Sequence, residues 1–110
     1  MKYSEPFHEN CLYHIFNQGN ARVKIFYKKE NYGYFLKKLD LYMSDVLDIY
    51  CFCLIPNHFH LLAGIKDWKE IEPNLKKHKN LEKIIENKDY KVEIVVSELF
   101  RRFLCHIANQ

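Results

Sequence analysis

Two histidines one residue apart, His58 and His60, are the sharpest chemical feature of this 110-residue chain. They sit in the run Ile55-Pro56-Asn57-His58-Phe59-His60-Leu61-Leu62. In an extended strand alternate side chains share a face, so both imidazoles project together while Phe59 and Leu61 turn to the opposite, apolar side. Two imidazoles placed that way can give nitrogens to one metal ion. The alternative is a pair of histidines capping the polar edge of a sheet. Cys51 and Cys53 lie just upstream. In a tight hairpin Cys53 pairs with His60 and shares its face, which makes a Cys₂His₂ zinc site conceivable. Against zinc, structural sites usually keep two or more residues between paired ligands, these cysteines have one, and cysteine in an apolar strand is most often core.

The elements that position these side chains follow from periodicity. Residues 48–55, DIYCFCLI, are apolar on both faces, which predicts a central strand. Pro56-Asn57 punctuates, and residues 58–65 form the next strand. Strands this close are antiparallel, because a parallel pair needs a crossover of about a dozen residues. Residues 10–16 read as a first strand and Asn17-Gln18-Gly19-Asn20 as a turn, with a short apolar patch at Ile25-Phe26-Tyr27. Residues 30–46 read as a helix: Tyr32, Phe35, Leu36, Leu39, Tyr42, Met43 and Val46 fall on one stripe. Residues 66–91 are polar, with Lys and acids in near balance, and are expected to be the mobile part, holding one or two short helices around Ile71, Leu75, Leu81, Ile84 and Ile85. Residues 92–108 predict a final helix with Val96, Leu99, Phe100, Phe103, Leu104 and Ile107 inward. A fourth strand over 92–96 followed by a helix capped at Ser97 is the alternative.

Composition sets the class. Hydrophobic residues are 48% and charged residues 28%, which excludes intrinsic disorder and gives one domain with a core to bury. The net charge of +3 permits a nucleic-acid partner and excludes nothing. Four cysteines are too sparse for a secreted disulfide scaffold. The opening MKYSEPFHEN has no apolar signal-peptide stretch, and the longest apolar run, Ile49 to Ile55, is too short to span a bilayer. The expectation is a cytoplasmic protein with reduced thiols and no membrane partner.

The histidine run resembles the signature of the HUH endonucleases, in which two histidines flank one hydrophobic residue. It is most similar to the single-tyrosine transposases of insertion sequences and their REP-associated relatives, which commonly read M-P-N-H-x-H-L-L here. Tyr13-His14-Ile15-Phe16-Asn17-Gln18-Gly19-Asn20 is similar to that family's opening strand and N-R-G-N turn, with Gln18 in place of Arg. Lys24-Ile25-Phe26-Tyr27 followed by Tyr32-Gly33-Tyr34-Phe35-Leu36 resembles the segment leading into its first helix. Val96-Ser97-Glu98-Leu99-Phe100 resembles the start of its last one. The likeness covers the chain from about Tyr13 onward.

The resemblance implies an α/β domain of the α+β kind: a ferredoxin-like antiparallel sheet with helices packed on it and the histidine motif on a central strand. It implies Mg²⁺ or Mn²⁺ held by His58, His60 and a third polar ligand, and single-stranded or hairpin DNA as partner, with a homodimer among the assemblies found in relatives. It also implies DNA transposition chemistry, in which a tyrosine on the last helix attacks a phosphate and forms a 5′-phosphotyrosine link.

The chain departs from the pattern where that tyrosine belongs. The run Phe100 to Gln110 contains no Tyr, and the matching registers fall on Leu104 or Ile107. Relatives continue with a basic, Gly-containing segment, so a truncated or degenerate form, inactive alone, is expected. Cys105 is expected to be buried and inert, His106 to be an exposed helix-end residue or a third ligand, and Tyr90 to be a surface aromatic. Asn109 and Gln110 are further ligand candidates. Phosphate contacts are expected from Arg22, Lys24, Lys28, Lys29, Lys37, Lys38, Arg101 and Arg102, with Tyr27, Tyr32 and Tyr34 as stacking faces. A non-enzymatic DNA-binding or structural remnant, zinc-stabilised or not, is the competing class.

Overall fold

The protein is described by a computed structural model covering residues 7–18 and 24–108. Its described elements run β1 (Leu12–Gln18), α1 (Lys29–Met43), β2 (Leu47–Ile55), β3 (His58–Ile65), α2 (Trp68–Ile71), a 3₁₀ turn (Glu72–Lys77), α3 (Leu81–Ile84) and α4 (Lys91–Ala108). The architecture is α+β. A three-stranded sheet has the order β1-β3-β2, and both outer strands run antiparallel to β3. β1 and β2 are therefore parallel to each other with β3 between them, the split β-α-β arrangement of ferredoxin-like folds.

The burial of β3 alternates at every residue, with Phe59, Leu61, Ala63 and Ile65 inward. Those side chains meet the helices. Phe35 of α1 lies 5.0 Å from Phe59 and 5.1 Å from Phe103 of α4, ring centre to ring centre, and Phe26 closes on it from the side at 5.2 Å. Leu39 and Met43 extend the α1 stripe, and Val95, Val96, Leu99, Phe100 and Ile107 extend that of α4. The helices thus cover one face of the sheet. By alternation His58, His60, Leu62 and Gly64 look out of the other.

Several sequence expectations change. β2 is an edge strand, not a central one, and Tyr50, Cys51, Phe52 and Cys53 are exposed. Its apolar outer residues face a surface that no described helix covers. A β-bulge at Tyr50 interrupts the ladder between Ile49 and Cys51. The Tyr50 ring lies against Gly64, where a side-chain Cβ would stand 3.4 Å from the ring. The 92–96 segment is helical, so the fourth-strand alternative fails: Val95 and Val96 face the core as part of α4. The 66–91 segment, expected to be mobile, is pinned by buried Ile71, Leu75, Leu81 and Ile85. Asp67 caps α2 by accepting from the Glu70 N–H at 3.1 Å, and Glu9 accepts from the Trp68 N–H at 2.7 Å. Asp45 ties the α1–β2 junction to the same segment through Lys77 at 3.3 Å and the nearly buried His78 at 3.1 Å. Asn10, Asn80 and Asn87 take the positive φ values at the turns, a conformation asparagine tolerates. No described helix is long and apolar enough to cross a membrane.

Candidate metal centre

His58 and His60 project from the central strand onto the face that no described helix covers, with ring centres 5.0 Å apart. The two-residue turn ahead of them is fixed from outside the hairpin. The N–H groups of Ile25 and Phe26 donate to the Pro56 carbonyl at 2.7 and 3.0 Å. This clamps the segment leading into α1 beside the histidine end of the sheet. Asn31 then accepts from the N–H groups of Tyr27 and Lys28, each at 2.8 Å, and starts α1.

Each histidine has a distinct partner. His58 Nδ1 lies 2.8 Å from Asn57 Oδ1. His60 Nδ1 lies 2.8 Å from Nε2 of His14, a residue of β1. The His14 and His60 ring planes lie within 16° of parallel, with ring centres 5.0 Å apart. Phe16 follows His14 on the same side of β1, with its ring 6.0 Å from His60. Cys53 is directly across β2–β3 from His60, as a tight hairpin predicts. No acidic residue among the described ones joins this group. Among the described residues no three His, Cys, Asp or Glu side chains converge to hold a metal ion. The described donors therefore do not make a closed four-ligand zinc site; His58 and His60 are the two imidazoles that would hold a cation on this face.

The structure separates the other expected site residues. Lys24, Lys28 and Lys29 are exposed on the segment clamped to Pro56, at the histidine end. Arg22, Asn109 and Gln110 lie outside the described residues, as do Gly19 and Asn20 of the expected turn. Lys38 sits over the Tyr34 ring, 5.5 Å from its centre, and Tyr32 is stacked on Phe26 at 4.4 Å, which leaves Tyr27 the most open of the three tyrosines. Arg101 and Arg102 lie on α4, on the far side of the sheet, and both are engaged by Glu98. His106 rests 5.2 Å from Tyr42 in the helical layer, which removes it as a partner of His58 and His60. Cys51, Cys53 and Cys105, expected to be core, are exposed free thiols, as is Cys11. The edge position of β2 and the outer face of α4 put them in water. Tyr90 is a surface aromatic, as expected. His14, Phe16 and Asn57 are the members of the site that spacing did not single out. His14 reaches His60 across 46 residues of chain, through strand register alone.

The hydrogen bond from Arg101, together with that from Arg102 and both guanidinium charges, holds the Glu98 carboxyl below its ordinary value of 4.5, against the opposing effect of partial burial. A lowered folded-state value means that the stabilisation is complete above 4.5 and is lost as pH falls through the lowered value. Glu98→Gln is expected to lower the melting temperature slightly at neutral pH, with the gap to wild type closing in acid. A gap of equal size at both ends of an acid titration would count against an ionised pair.

Comparison with protein-family models, with curated proteins and with solved structures finds no match to this chain. The functional reading therefore rests on the chain's own geometry and on the motif likeness.

Proposed function

We propose that this chain is a DNA-binding domain of the HUH endonuclease and transposase type, which holds a divalent cation through His58 and His60 but lacks the nucleophile for strand cleavage. The observation that carries the reading is the projection of both imidazoles, from a central strand, onto a face free of described helices. Exposed Phe16 and Tyr50 on that face offer rings on which unpaired bases stack. Lys24, Lys28 and Lys29 supply cations for phosphates at the histidine end. Two imidazoles without a carboxylate favour Mn²⁺ over Mg²⁺. A cation bound there would polarise a phosphate as a Lewis acid. The competing reading is a structural domain that binds no DNA; Cys53 lies opposite His60, but no third described ligand joins them.

Titration of hairpin-bearing single-stranded DNA at two salt concentrations tests the proposal. Three lysine–phosphate contacts predict a log–log salt slope of roughly −2, which is about a twentyfold loss of affinity between about 50 and 200 mM salt. Absence of binding at low salt would overturn the DNA reading and leave the structural domain.

A further inference from the structure

The hydrogen bonds behind the histidine pair fix more than its orientation. An amide oxygen only accepts, so the 2.8 Å contact between His58 Nδ1 and Asn57 Oδ1 requires the His58 proton to be on Nδ1. His58 Nε2 is then a bare lone pair. The contact of His60 Nδ1 with His14 Nε2 has two neutral forms, with either ring donating. His14 is exposed, so its own Nδ1–H can reach water. The form that leaves His60 free to bind has His60 donating from Nδ1 and His14 accepting, which puts the second lone pair also on Nε2.

We propose that Asn57 and His14 are positioning residues that lock His58 and His60 as Nδ1–H tautomers, so that the two Nε2 lone pairs together hold a divalent cation that accepts imidazole nitrogen. The inference rests on the proposal that this pair binds a cation, and it names the residues that prepare the pair for it. Metal-binding histidines typically owe their orientation and basicity to such an acceptor on the second ring nitrogen, and its loss weakens metal affinity by about 10–100-fold.

The tautomers can be read without any metal. In the full chain labelled with ¹⁵N-histidine, at a pH where the imidazoles are neutral, long-range ¹H–¹⁵N correlation should show protonated Nδ1 and bare Nε2 at both His58 and His60. Asn57→Leu should release His58 alone, and His14→Phe should release His60 alone. Asn57→Asp and His14→Gln keep an acceptor and should preserve the wild-type pattern. The same spectra report whether each variant is folded. A second arm titrates Zn²⁺, a diamagnetic probe: His14→Phe and Asn57→Leu should bind about 10–100-fold more weakly, with the acceptor-keeping variants close to wild type. An Nε2–H form at either histidine of the wild type overturns the tautomer assignment, even if Zn²⁺ still binds. Equal loss in His14→Gln and His14→Phe overturns the positioning role and makes His14 a ligand. Nδ1–H tautomers in a wild-type protein that binds no Zn²⁺ overturn the cation seat and leave the assignment standing.

Discussion

Replacing Phe35 with alanine is expected to destabilise the fold by about 3–5 kcal/mol, read as a lower denaturant midpoint with an unchanged slope. Phe35 is fully buried and meets rings from three elements: Phe26 before α1, Phe59 on the central strand and Phe103 on α4. Its removal loses the transfer free energy of the ring and leaves a cavity where helix layer and sheet meet, which rigid neighbours fill only partly. A domain of this length has roughly 5–15 kcal/mol in total, so the variant should be marginal or unfolded at physiological temperature. Phe16→Ala is the control. That ring is about half exposed on the outer face, and its loss should change stability by at most about 0.5 kcal/mol. Equal effects for the two substitutions would mean that the sheet is covered on the wrong side.

The second large effect is an absence. Incubated with labelled hairpin DNA and Mn²⁺ and then denatured, the chain should carry no covalently linked label. Covalent strand cleavage needs an oxygen nucleophile in line with the phosphorus, about 3–3.5 Å from it, and beside the cation seat. The helix expected to supply it is α4, and α4 has no tyrosine. Its geometry is also unsuited. Ile107 is buried toward the core, and Phe103 on the same helix packs through Phe35 to Phe59, whereas His58 and His60 leave β3 in the opposite direction. A tyrosine placed at Leu104 or Ile107 would therefore still be separated from the histidines by the thickness of the sheet, within one copy of the chain. An adduct mapped to Tyr90 or to any other tyrosine would overturn this reading and restore an intact enzyme.

How legible all this was depended on what each residue's surroundings add to its type. β3 was readable to the residue because its alternation is strict and a Pro-Asn turn precedes it. The α1 stripe through Phe35, Leu39 and Met43 was readable for the same kind of reason. β2 misled. DIYCFCLI is apolar on both sides, and apolarity alone does not say whether anything lies on top of it. No described helix covers its outer residues and no described strand pairs with its outer edge, so cysteines that looked like core are exposed. Val92 to Val96 have strand-like side chains, but the helical stripe of Leu99, Phe100 and Phe103 continues back through Val95 and Val96, and packing against α1 overrides local preference. The histidine pair was visible as a spacing; its supports were not. Asn57 is adjacent in sequence but acts through a side-chain rotamer, and His14 acts through a register that no local pattern encodes.

That register also implies an expected order of assembly. The β2–β3 hairpin closes across Pro56 and Asn57 alone, and such closures take microseconds. β1 is joined to β3 through α1 and β2, and His14 and His60 are 46 positions apart. Long closures carry a larger entropic cost, which later contacts must offset, and long-range strand pairings form slowly for that reason. The expected order is therefore β2 with β3 first, then β1 laid along the other side of β3. His58 is in place with its asparagine as soon as the hairpin exists. His60 acquires its partner only when the first strand of the chain arrives as the last strand of the sheet.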